Sequence, residues 1–147
     1  MNLFAALAAF LIGLPAVAAG QQRCPWLNPA TAAGVLGGAV QTTVTASSCE
    51  FVRRAGPQEA LLRIEVTAAN LPHAHCPPGA EALKSIGNEA VACAYKEKAG
   101  WVAEQVVGRV RDQAFLVRIA VNDRSAGDAT LRRKARDIAE QVAGILF

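Results

Sequence analysis

Four cysteines (Cys24, Cys49, Cys76 and Cys93) follow an apolar amino-terminal run, and this arrangement constrains the chain more than any other feature. The stretch Leu3 to Leu14 is apolar apart from Gly13, and Pro15 ends any helix it forms. Val17-Ala18-Ala19 then offers small residues of the kind a signal peptidase reads, so residues 1–19 are expected to be a cleaved secretory leader, cut before Gly20. Such a run is short and alanine-rich for a membrane span, which needs about 20 apolar residues. No Lys or Arg precedes it, so an uncleaved N-terminal anchor is the alternative. A lipoprotein is not expected, because Cys24 follows Gln21-Gln22-Arg23 rather than a small-residue box. The expected location is therefore periplasmic or secreted, where paired thiols become disulfides.

Four cysteines allow three pairings. Cys24–Cys49 and Cys76–Cys93 are favoured, because each joins segments that the pattern along the chain places side by side. In the loop-entropy description, a bridge closing roughly 15 to 25 residues stabilises a fold by about 3 kcal/mol. No pair forms a C-x-x-C, which disfavours a thioredoxin-like redox role.

Residues 20–147 are expected to form one domain with a modest core. An apolar content of 52% argues against disorder. The net charge of +3 is too small to point to nucleic acid.

Asn28 and Pro29 suit the cap and first turn of a short helix, Ala30 to Leu36, that Gly37-Gly38 ends. Strands are expected over Val40–Thr45 and Cys49–Arg53, with a turn at Gly56-Pro57. Leu62, Ile64 and Val66 alternate with polar residues, the pattern of a half-buried strand. Prolines 72, 77 and 78 make Asn70–Gly79 a loop, and Ala80–Ile86 reads as a short helix ending at Gly87. Strands follow over Glu89–Tyr95, Trp101–Val110 and Ala114–Val121, joined by turns at Lys96–Gly100 and Arg111–Gln113. Leu131, Ala135, Ile138, Ala139, Val142 and Leu146 then recur at helical spacing from Ala129 to Leu146. The expected fold class is α+β: an antiparallel sheet of about five to six strands, packed on one face by a short N-terminal and a long C-terminal helix.

Particular residues carry a resemblance. A cysteine precedes a Leu/Pro/Ala helix ending in Gly-Gly (Cys24, Leu27, Pro29, Leu36, Gly37, Gly38), and Cys-x-aromatic follows (Cys49, Phe51). Gly-x-Glu-Ala (Gly87, Glu89, Ala90) opens the second group of strands, and an alanine-rich helix closes the chain. This resembles small secreted proteins and lipoproteins of unknown function in bacteria, which are similar in turn to the extracellular sensor domain of receptor-type serine/threonine kinases. The resemblance implies an antiparallel sheet packed on helices, a cleft suited to binding, and no known catalysis. The chain departs from many of those relatives in lacking a lipid-box cysteine and any kinase or membrane-spanning part. A PsbP-like accessory-protein fold is a neighbouring alternative.

Few residues stand out chemically. His73-x-His75-Cys76 holds both histidines of the chain, and His-x-His in an extended segment points two imidazoles one way, a weak Cu(II) or Zn(II) pattern. Histidines in a proline-rich surface loop are more commonly solvated. Arg132, Arg133, Lys134 and Arg136 form a basic face on the last helix, suited either to acidic headgroups or an anionic envelope polymer, or simply to solvent. Trp26 and Trp101 are candidates for ligand stacking or, more plainly, core. Gly87-Asn88-Glu89 either sets a carboxylate at a cleft rim or is a turn into a strand.

Gly-x-Ser-x-Gly, His-Glu-x-x-His, phosphate-loop and calcium-loop patterns are missing, so neither an enzyme nor a cofactor is expected. The functional expectation is a non-catalytic, sensor-like binding module for a small molecule, peptide or envelope component, with weak contact candidates near Asn70–Gly79. The alternative is an envelope accessory protein docking through its sheet face or basic helix.

Overall fold

A computed structural model describes residues 23–147, so the expected leader at residues 1–19 lies outside the described residues. Helix α1 (Pro29–Leu36) begins where Asn28 Oδ1 accepts a hydrogen bond from Thr31 N at 2.8 Å. It ends at Gly37, whose φ of 80° lets its N–H reach Ala33 O. Seven antiparallel strands follow: β1 (Gln41–Val44), β2 (Ser48–Ala55), β3 (Gln58–Thr67), β4 (Glu81–Ala82), β5 (Glu89–Tyr95), β6 (Val102–Val110) and β7 (Gln113–Val121). Helix α2 (Asp128–Leu146) comes last.

The sheet order is β1-β2-β3-β7-β6-β5-β4. After β3 the chain leaves for the far edge and meanders back, so β7 closes the sheet against β3. The two most clearly alternating segments of the sequence thus become central neighbours, with Leu62 opposite Ile119, Ile64 opposite Val117 and Val66 opposite Phe115. These residues, with Phe51 and Val106, form one face, which α1 covers over β2 and β3 and α2 covers over β5, β6 and β7. Leu131, Ala135, Ile138, Ala139 and Val142 supply the buried stripe of α2. Cys24 bonds to Cys49 and Cys76 to Cys93, leaving no free thiol among the described residues. Among those residues, no helix is long and apolar enough to cross a membrane.

The expected helix over Ala80–Ile86 does not form, and the strand count rises above six because Glu81–Ala82 becomes an edge strand instead. Seven residues give few helical hydrogen bonds against the cost of nucleating a helix. The alternative satisfies backbone groups along β5: Glu81 pairs with Ala92, Ala82 with Val91, and Leu83 N donates to Ala90 O at 2.8 Å. Positive φ at Ser85 (77°) and Gly87 (63°) then curls the chain, leaving Leu83 and Ile86 buried.

Gly108 shows how tightly the sheet meets its core, since a Cβ there would lie 2.4 Å from Phe115 Cζ and 2.9 Å from Glu89 O. Gly108→Ala is expected to destabilise the fold by about 1–3 kcal/mol in urea titration. Gly34 sits inside α1 with open space around it. Gly34→Ala is expected to stabilise by about 0.5–1 kcal/mol. Reversed signs would contradict this packing.

Candidate functional site

Strand β7 is buried on both sides, because Leu116, Arg118 and Ala120 are as enclosed as Phe115, Val117 and Ile119. The helices cover only one side. The register places Glu65, Leu116, Val107, Val91 and Ala82 in one row across the opposite face. Arg63, Arg118, Gln105 and Cys93 form an adjacent row, and Thr67, Ala114, Arg109 and Glu89 another. The Asn70–Gly79 segment lies across these rows. Arg109 Nη2 donates to Asn70 Oδ1, His73 Nε2 meets Glu65 Oε2 at 2.7 Å, and Gln105 Nε2 donates to His75 O at 3.1 Å. The Cys76–Cys93 bond completes the anchorage.

Beneath this cover the second face carries a buried polar row. Gln105 Oε1 accepts from Arg118 Nε at 3.3 Å and Nη2 at 2.9 Å, so one buried amide ties the guanidinium to the loop. The Arg118 guanidinium also lies 3.5 Å from the centre of the Tyr95 ring. Burial lowers the pKa of Arg118, while charge interactions with Tyr95, Glu97 and Glu65 oppose that fall and Arg63 adds to it. An arginine remains cationic throughout the working pH range. Arg63 Nε approaches Glu65 Oε1 to 2.6 Å, a charge contact whose angle does not make a directed hydrogen bond.

Where the segment turns away from the sheet, a partly open cavity of about 540 Å³ remains. Val91 and Val107 line its sheet side with Ala82 and Ala114, while Leu71 and Ala74 belong to the covering segment. The polar side chains lining it are Asn70, Glu89 and Arg109. Size and mixed lining match small-molecule sites, which are mainly apolar with a few placed polar groups. Small side chains leave room on this face: Ala74, Ala82 and Ala114 border it.

Glu89 therefore reaches a cleft rim, while Gly87-Asn88 also makes the turn: Asn88 N donates to Arg109 O at 2.8 Å, and Asn88 Oδ1 accepts from Arg111 N at 2.6 Å. Neither histidine lines the cavity. His73 turns to Glu65 and the His75 ring to Pro72 O, at 3.2 Å, while Cys76 is in its disulfide. Among the described residues, no three His, Cys, Asp or Glu side chains come together as a metal-binding group. Trp26 belongs to the core, and Trp101 lies beneath Lys98 Nζ, 4.2 Å from its ring centre.

The basic face of α2 is divided among partners. Arg132 grips Glu104 through two hydrogen bonds of 3.0 and 3.1 Å, and both Arg132 and Arg136 lie within 4 Å of Glu81. Hydrogen bonding and charge from Glu104 raise the pKa of Arg132. Lys134 Nζ donates to Val35 O at 2.8 Å, and Arg133 is exposed.

Sequence reasoning placed contacts near Asn70–Gly79, but it did not single out Val107, Arg109 or Ala114. Both faces of β6 carry apolar residues, so periodicity gave no reason to separate Val107 and Arg109 from the rest. No family model matches the chain, and no curated protein matches it by sequence.

Glu104 is only 1% exposed, so its carboxylate depends on Arg132. Arg132→Met is expected to destabilise by about 3 kcal/mol, because it strands a buried charge. The double variant Glu104→Leu/Arg132→Met should recover most of that loss. A double-mutant cycle by urea denaturation checks this, and additive losses would contradict it.

Proposed function

We propose that this chain is an extracytoplasmic, sensor-like binding module that takes a small molecule into the cavity between the Asn70–Gly79 segment and strands β4, β5 and β6. Two disulfides support a secreted or periplasmic setting, since such bonds persist in oxidising compartments. The observation that carries the binding reading is the cavity itself, which has an apolar lining and polar groups confined to Asn70, Glu89 and Arg109. An amide, a carboxylate and a guanidinium orient a bound polar group by hydrogen bonding, and the reading is of non-catalytic binding. Docking to an envelope complex is the competing class, and it requires a broad apolar patch rather than a recess. Among the described residues, the exposed large apolar side chains, Ile145 and Phe147, instead sit at the end of α2.

A neutral apolar dye, Nile red, tests the recess. It is expected to bind one-to-one with blue-shifted emission. Val107→Trp should abolish that binding by filling the cavity, and so should Ala82→Trp, at an exposed site where folding tolerates the larger ring. Folded variants that bind the dye as wild type does would overturn the reading.

A further inference from the structure

We propose that the molecule taken into this cavity is a small apolar carboxylate, its chain against Val91, Val107 and Leu71 and its anionic group on Arg109. The assignment rests on the cavity being the binding site. Arg109 differs from Arg63, Arg118 and Arg132 in how little its charge is spent. Arg132 is gripped by a buried carboxylate through two hydrogen bonds, and Arg118 is closed beneath Tyr95 and Gln105. Arg63 contacts both Glu50 and Glu65.

Arg109 instead gives one Nη2 hydrogen bond to the neutral amide of Asn70. Its nearest carboxylate, Glu89, stands 4.0 Å from Nε on a side chain that is 77% exposed. At that range, beside solvent, the pair is weakly coupled. A guanidinium has five N–H donors in a planar fork, so the remaining donors suit both oxygens of a carboxylate.

The rest of the lining sets the ligand's body. Val91, Val107, Leu71 and three alanines (Ala74, Ala82 and Ala114) offer a surface that a hydrocarbon chain or ring covers without leaving polar groups unpaired. A strongly polar ligand, such as a sugar, would have too few partners there. One charge at the rim and an apolar body behind it is the complementary shape.

Octanoate, octanol, octylammonium and 2-aminooctanoate, titrated calorimetrically against the disulfide-bonded protein, test this. Octanoate is expected to bind about 10-fold or more tightly than octanol, as a charge-assisted hydrogen bond allows. Octylammonium should bind more weakly than octanol. Arg109→Gln should erase the octanoate preference while octanol binding persists, and Arg109→Lys should restore part of it. Glu89→Gln should tighten octanoate by removing a like charge. Equal affinity for octanoate and octanol, or an octanoate preference that survives Arg109→Gln, overturns the carboxylate assignment alone. So does a preference for 2-aminooctanoate that Glu89→Gln removes, because that marks a zwitterion held between the two charges. Octanoate binding that survives both Val107→Trp and Ala82→Trp overturns the cavity reading with it.

Discussion

Strand β7 is buried on both faces, and among the described residues helices cover only one. Central strands buried on two sides ordinarily lie between two layers of regular structure. Here α1 and α2 make one layer, and the other is the irregular Asn70–Gly79 segment. An irregular cover is costly, since its backbone groups need partners and its freedom must be surrendered. The Gln105 contact to His75 O meets part of the first demand, while Arg109 and Glu65 hold the segment by its Asn70 and His73 side chains. Prolines 72, 77 and 78 reduce the freedom available to be lost, and the Cys76–Cys93 bond reduces it further.

That arrangement also explains why the enclosed second face carries buried polar side chains among its apolar ones. A segment without regular structure presents carbonyls such as His75 O downward, and an apolar face would leave them unpaired. Gln105 meets that carbonyl and the Arg118 guanidinium together. The same segment does not reach evenly over the sheet. A recess is left between the segment and strands β4, β5 and β6, so the cavity is a consequence of the irregular layer. The redundancy of anchors matters for any binding role, because a wall held at four points keeps its shape when the recess is empty.

The sequence made the helix-covered half legible and the other half opaque. Leu62-Ile64-Val66 and Phe115-Val117-Ile119 alternate as half-buried strands, and the Leu131–Leu146 spacing marks the packing stripe of α2. Those patterns report one apolar layer at a time. Ala80–Ile86 has helical composition, but an open sheet edge captured it, a tertiary effect that local propensity does not express. The loop itself was visible through its prolines, although nothing local says that it lies on a sheet. Glu89 lies in a segment that reads more simply as a turn than as a cleft rim, and Arg109 looked like one charge among fifteen Lys and Arg residues. Its distinction is a weakly paired guanidinium in the lining of the cavity, which only three-dimensional neighbours define.

Hydrogen–deuterium exchange on the Cys76→Ala/Cys93→Ala variant, compared with the parent, tests most directly whether the stapled segment is a structural layer. Exchange is expected to rise across residues 70–79 and in the second-face partners on β5 and β6, while the β3–β7 core amides keep their protection. Unchanged exchange across 70–79 would show that the disulfide does not hold this layer in place and would contradict the account.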